Sequence, residues 1–128
     1  MHNFDECIFC EIAKSDRVID ETNLSFVIRD GFPVTDGHTL FIPKRHVADY
    51  FELSREEIAE IQKLLLKHKM IIEKNDRSVE GFNVGVNVGA AAGQTVFHVH
   101  VHLIPRRKDD VDDPKGGVRG VIPAKQKY

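Results

Sequence analysis

Val96-Phe97-His98-Val99-His100-Val101-His102-Leu103-Ile104 is the stretch on which the reading of this chain turns. Phe97, Val99, Val101 and Leu103 alternate with His98, His100 and His102, the period of two that a strand imposes. The apolar set fixes the core side, so the three imidazoles share the opposite face. Same-face neighbours on a strand stand about 6.6 Å apart, two rises of about 3.3 Å. Val, Thr or Lys would serve a merely structural face better, so the row points to chemistry in one of two forms. Adjacent histidines can chelate one metal, since HxH on a strand is a common zinc pair. A hydrolytic site of that kind wants carboxylates nearby, and none lies between Glu80 and Asp109. In the other form the middle histidine attacks phosphorus and its neighbours manage charge, because neutral imidazole is a competent nucleophile near pH 7.

The segments around the row supply a scaffold. Residues 89–95 form a loop of Gly and Ala carrying Gln94 and Thr95, and small residues let a phosphate approach backbone amides closely. In residues 82–88, Phe82, Val84, Val86 and Val88 alternate with Asn83, Gly85 and Asn87, which predicts a second strand with one polar face. Ser54 with Glu57 three residues later predicts a capping box. Ile58, Ile61, Leu65, His68 and Ile72 then follow along one helical face, and the helix should end near Asn75. His68 sits at the edge of that stripe and reads as structural or solvent-facing. Strands are expected at 17–21 and 24–29, joined by Glu21-Thr22-Asn23, and at 38–43 after the break at Asp30-Gly31-Phe32-Pro33. A short helix is expected within 7–15, and mostly loop after Pro105. The sum is an α+β domain: an antiparallel sheet of about five strands, one long helix and a short N-terminal helix.

Composition narrows the function. The 128 residues are 41% hydrophobic, with 18 Lys+Arg against 20 Asp+Glu and a formal net charge of −2. One domain of this size buries roughly two-thirds of its unfolded surface, enough for a core without disulfides. So balanced a chain is not a general polynucleotide binder, which carries a basic surplus. No apolar run approaches the roughly 20 residues of a bilayer-spanning helix. Asp5 and Glu6 stand where a secretory signal would need apolar residues, so a cytoplasmic location is expected. In that compartment Cys7-Ile8-Phe9-Cys10 reads as half a metal site or a redox pair rather than a disulfide. The redox reading prefers a preceding strand, which has no room here, so two further ligands are to be sought.

His98-Val-His100-Val-His102-Leu-Ile resembles the signature of the histidine triad (HIT) superfamily of nucleotide hydrolases and transferases. Phe26-Val-Ile-Arg-Asp30, Pro33, and Gly37-His38-Thr-Leu-Phe-Ile-Pro43-Lys44-Arg45-His46 resemble its N-terminal half in order and spacing. Asn87, Gly93, Gln94 and Thr95 are similar to its phosphate loop, and Cys7 with Cys10 to its frequent zinc knuckle. The likeness covers residues 5–107 of a single HIT domain, 1–128, and leaves 108–128 as a C-terminal tail.

The resemblance implies a HIT-like fold and a set of roles. His100 would attack the α-phosphorus of a nucleoside 5′-phosphate derivative, a phosphoramidate or a dinucleotide polyphosphate, and form a nucleotidyl-histidine. Water would then release the monophosphate. A backbone carbonyl accepting the Nδ1–H of His100 would leave Nε2 free to attack. His102 would donate to a phosphate oxygen and His38 would orient the row. Gln94 and Thr95 in the phosphate loop, with Gly93, would hold the phosphate or leaving group. Asp30 would accept from the ribose hydroxyls, and Asn87 would contact ribose or phosphate. Cys7, Cys10, His46 and His98 would hold a structural zinc, with no catalytic metal. An adenosine-containing small molecule is the expected partner, with neither polynucleotide nor membrane, and a homodimer the expected assembly. Arg106, Arg107 and Arg119 are candidates for distal phosphates. The alternatives are a hydrolase using the row as catalytic metal ligands, and a nucleotide-binding signalling module.

Overall fold

The structure is a computed structural model and describes residues 7–128; Asp5 and Glu6 lie outside the described residues. Helix α1 (Ile8–Ile12) leads into strands β1 (Val18–Glu21), β2 (Ser25–Arg29) and β3 (Thr39–Pro43). The long helix α2 (Arg55–Asn75) follows, then β4 (Val79–Val86) and β5 (Val101–Arg107). The five strands are antiparallel neighbours in the order β1-β2-β3-β5-β4.

Both faces of the sheet are covered, which is why β2 and β3 read as unbroken apolar runs. Val27, Phe41, Val101 and Leu103 point to one side, where Ile61, Leu64 and Ile72 of α2 meet them. Phe26, Ile28, Leu40 and Ile42 point to the other, against Cys7, Phe9 and Ile12 around α1. A fully buried Phe or Ile contributes about 1.5–3 kcal/mol, so α1, only five residues long, is held by this packing rather than by propensity. The α2 cap forms as expected: Ser54 Oγ accepts from Glu57 N, and Glu57 Oε1 accepts from Ser54 N at 2.8 Å. His68 lies inside the buried stripe rather than at its edge. Its Nε2 meets Asp20 Oδ2 at 2.9 Å and its ring packs edge-on to Phe41.

Three expectations need correction. The strand expected at 96–104 pairs only from Val101 to Arg107, so His98 and His100 precede the ladder. The pairing of β3 with β5 stops at Phe41↔Val101, because β3 ends at Pro43 and Val99 N donates instead to Val47 O at 2.8 Å. Inward alternation nevertheless persists, with Val99, Val101 and Leu103 all buried. Asn87, expected within its strand, lies one residue past β4. The tail, expected as mostly loop, contains two 3-10 turns, Gly117–Val121 and Pro123–Lys125. Gly116 and Gly117 permit the compact fold of this tail: both have positive φ, and a Cβ on Gly116 would meet Gln126 O at 1.8 Å.

Candidate active site

The three histidines of the row share a face but serve different neighbours. His98 is fully buried, and its Nε2–H donates to Pro43 O at 2.6 Å. That fixes the lone pair on Nδ1, which faces Cys7 Sγ at 3.3 Å and Cys10 Sγ at 3.6 Å. His46 Nδ1 lies 3.3 Å from Cys10 Sγ, and all four donor atoms fall within 4.8 Å of one another. A tetrahedral zinc with Zn–S of about 2.3 Å and Zn–N of about 2.0 Å puts its ligand atoms about 3.3–3.8 Å apart, so the set fits. Burial, reinforced by the hydrogen bond and charge of Cys7, pushes the Cys10 thiol up to about 11. A zinc ion bound here would hold the sulfurs as thiolates. The four residues named from the sequence are thus brought together by α1, the β3–α2 loop and the segment before β5.

His100 is arranged for attack. Its Nδ1 lies 2.9 Å from His98 O, and a carbonyl only accepts, so Nδ1 carries the proton and Nε2 keeps its lone pair. Burial holds its pKa below the usual value, against the His98 carbonyl and the charge of Asp30, so the ring is neutral at pH 7. Phe9 stands edge-on at 4.9 Å between ring centroids and fixes the imidazole plane. The sequence reading missed Phe9, although its place between two sulfur ligands was a signal.

His102 receives its orientation through a chain of main-chain and side-chain bonds. Val34 N–H donates to His38 Nδ1 at 3.0 Å, which puts the His38 proton on Nε2. That Nε2–H faces His102 Nδ1 at 2.8 Å, with Asp30 Oδ2 at 3.4 Å beside it. His102 Nδ1 then accepts, and its proton sits on Nε2, a buried atom with no partner among the described residues. Burial, then repulsion from His100 and His38, pushes the His102 pKa down to about 4. The result is a neutral N–H donor aimed beside the nucleophile (ring centroids 5.1 Å apart). Asp30 accepts from Phe32 N at 2.7 Å and keeps acceptor capacity for a further donor.

The loop before the row is tied largely to itself. Gln94 is buried: its Oε1 accepts from Gly89 N at 2.9 Å, and its Nε2 donates to Ala48 O and Val96 O. Its amide braces the loop, while Thr95 and Gly93 are exposed. The N–H groups of Gly89, Ala92 and Gly93, expected to be available to phosphate, bond within the loop. Gly93 takes a φ of 97°, which a side chain would strain. Asn87 lines a cavity of about 810 Å³ together with His38 and His102.

The three arginines are committed elsewhere. Arg106 grips Asp110 with Nε and NH2 at 2.8 and 2.7 Å, and its NH1 donates to Asn83 Oδ1. Arg107 binds Asp76, Ser78 and Asp36 O, and lines a cavity with Asp30 and His38. Arg119 donates to Gln126 O and packs on Tyr128. All three candidates for distal phosphates are thus already paired within the protein. The row also fails to converge on one catalytic metal: His98 faces sulfur, His100 a carbonyl, and His38 Nε2, beside His102 and Asp30, carries a proton.

Comparison with known proteins follows the same lines. A family model described as HIT domain matches residues 12–109. The chain is 41% identical over 107 residues to adenosine 5′-monophosphoramidase hnt1 of Schizosaccharomyces pombe, covering 81% of this chain and 77% of that protein. It is 36% identical over 105 residues to an asymmetrical bis(5′-nucleosyl)-tetraphosphatase of the same organism, covering 82% and 57%. A Zn-bound histidine triad family protein from Mycobacterium smegmatis superposes with a TM-score of 0.75 at 36% identity, covering 83% of this chain and 78% of that one.

Proposed function

Because this chain belongs to the HIT domain family, we propose that it hydrolyses a nucleoside 5′-phosphate derivative at the α-phosphate through a nucleotidyl-histidine on His100. The observation that carries the reading is the proton on His100 Nδ1, held by His98 O, which leaves Nε2 as a neutral nucleophile. The Nε2 lone pair forms the N–P bond as the bond from phosphorus to the leaving group breaks. His102 Nε2–H donates to a non-bridging oxygen as charge builds, and Thr95 would add a hydroxyl donor to the phosphate. A water then attacks phosphorus from the vacated side, loses its proton to solvent, and releases the nucleoside monophosphate and His100. Asp30, next to His38, is where the ribose hydroxyls would dock, with Asn87 toward the phosphate. Hydrolase names among the HIT relatives support the reaction class, and an adenosine nucleoside is the partner their names favour.

Cys7, Cys10, His46 and His98 would hold zinc as a closed tetrahedral site. Such a site supplies folding energy rather than a Lewis acid at phosphorus. Cysteines kept as thiols for that purpose suit the reducing cytoplasm. A homodimer is supported by β4, the last strand in the sheet order, which leaves Val84 half exposed at its edge.

The test is trapping. Adenosine 5′-phosphoramidate labelled at phosphorus, mixed rapidly with protein and quenched in base, should leave acid-labile label on the chain. His100→Ala should carry none. Label retained by the variant, or multiple turnover without any label on the wild type, would overturn the mechanism.

A further inference from the structure

Arg17 reaches toward Asp30 from the turn between α1 and β1, and the reaction at His100 makes no use of it. Ser15 Oγ donates to Ile12 O at 2.7 Å and accepts from Arg17 N at 3.2 Å, so the turn that ends α1 fixes the main chain of Arg17. From there the side chain crosses to the end of β2, where Nη2 donates to Arg29 O at 3.2 Å. The same Nη2 lies 3.4 Å from the point that a Cβ on Gly31 would occupy. Arg29 and Gly31 are the residues on either side of Asp30, so the guanidinium rests against the chain that carries this carboxylate. Gly31 supplies the room, because a longer side chain there would contend for the same place.

The charge at this point is available. Arg17 is exposed, and among the described residues its guanidinium makes one hydrogen bond, to a neutral carbonyl, and no ion pair. Arg106 and Arg107, by contrast, are held by Asp110 and Asp76. Arg29, although adjacent to Asp30 in sequence, gives its own guanidinium to Thr39 Oγ1. Asp30 already has donors of its own: Oδ1 accepts from Phe32 N at 2.7 Å, and Oδ2 stands 3.4 Å from His38 Nε2. Such a carboxylate can accept from one more hydroxyl, but it repels an anion brought against it. A phosphate can settle beside Asp30 only with a cation to hold it, and Arg17 stands in that position.

On the reading that Asp30 receives the ribose, we propose that Arg17 forms a subsite for a second phosphate carried on the ribose itself, at its 2′ or 3′ oxygen. The remaining free hydroxyl donates to Asp30. The phosphorylated oxygen turns to Arg17, whose planar fork pairs with two phosphate oxygens. The substrate class is then nucleoside 5′-phosphate derivatives that bear a 2′- or 3′-phosphate. Selection works by difference, since without Arg17 the added phosphate would meet the Asp30 carboxylate alone.

The experiment measures binding of AMP, adenosine 3′,5′-bisphosphate and adenosine 2′,5′-bisphosphate to the full chain by calorimetry. One bisphosphate should bind about fivefold more tightly than AMP, the scale of a good charge contact at the surface. Which of the two does so identifies the oxygen that carries the phosphate. Raising the ionic strength should narrow the preference, because exposed pairs are screened. Arg17→Gln, which keeps an N–H for Arg29 O but no charge, should reverse it, so that AMP binds more tightly than either bisphosphate. Arg17→Lys, which keeps the charge without the fork, should retain part of it. Gly31→Asp, which sets a carboxylate in the open place beside the guanidinium, should abolish it with Arg17 intact; an unchanged Tm checks the folding of each variant. A wild type that binds neither bisphosphate better than AMP, a preference that survives Arg17→Gln or Gly31→Asp, or an equal loss of AMP and bisphosphate binding in Arg17→Gln would each overturn the inference. Asp30→Ala keeps the two failures apart. Weaker AMP binding in that variant, with no effect of Arg17→Gln on the preference, strikes Arg17 alone, whereas AMP binding untouched by Asp30→Ala strikes the placement of the ribose.

Discussion

At the scale of single residues, main-chain atoms decide which imidazole nitrogen carries each proton. His98 O sets His100, and Val34 N–H sets His38 and through it His102. His100→Ala removes the only nucleophile on this path. Steady-state turnover should fall to background while AMP binding, followed by calorimetry, stays near the wild-type value; turnover above a few per cent would contradict the covalent path. Asp30→Ala should weaken binding of AMP more than of its 2′,3′-dideoxy analogue, and equal losses would take Asp30 away from the ribose. The pKa shifts also predict a pH dependence of stability. His38 and His102 are both held below the ordinary histidine value, His102 at about 4, so the folded state prefers them neutral. Above the unfolded value near 6.5 both states are neutral and nothing is lost. As pH falls from there toward 4 the unfolded chain binds more protons and stability declines. Thermal melts should show Tm dropping across that window, with His102→Asn flattening the drop.

At the scale of elements, α2 controls more than its own packing. Glu57 is buried at its first turn, and its carboxylate joins Ser54 N to Arg45, at 2.8 Å each. Arg45 also donates to Glu52 O and precedes His46, so the cap anchors the loop that carries this candidate metal ligand. The Arg45 guanidinium holds the Glu57 pKa below its usual value. Ser54→Ala should cost about 1 kcal/mol, the worth of a cap. Glu57→Ala should cost more, about 2 kcal/mol, because a charged donor is left without its acceptor. Urea denaturation of the two variants gives the ranking, and a larger cost for Ser54→Ala would contradict this account.

At the scale of the molecule, the Cys7–Cys10–His46–His98 cluster ties α1 to the β3–α2 loop and to the segment before β5. If zinc binds there, a chelator should lower Tm before it lowers the turnover of protein that is still folded. Loss of turnover at constant Tm would assign the metal to chemistry instead. The tail is the other whole-molecule feature. It closes on itself through Gln126 Nε2 to Lys115 O and through Arg119 to Gln126 O, and this places its valines over the sheet face.

Much of this was legible along the chain because the signals are local. Period two in 97–103 fixed the face of the histidines, and Val99, Val101 and Leu103 are buried as that period requires, while Phe97 is only partly buried. The capping box and the buried Ile61, His68 and Ile72 of α2 follow from spacings of three and four, but Ile58, expected on that face, is exposed, and Leu64 is buried in place of the partly buried Leu65. What escaped depends on partners distant in sequence. The β5 ladder begins at Val101 because β3 ends in Pro43 and Val99 pairs with Val47. The arginines past the row attract phosphate on paper, yet Asp76, Asp110 and Gln126 hold them in space.

The sequence alone determined the residue types and their period, hence the α+β class and the histidine row, and the full sulfur–imidazole set came only through the resemblance to the HIT family. Only the tertiary structure decided which nitrogen of each histidine is protonated, which charges are already paired and where the tail lies. Those properties belong to contacts between segments tens of residues apart, and no local pattern encodes them.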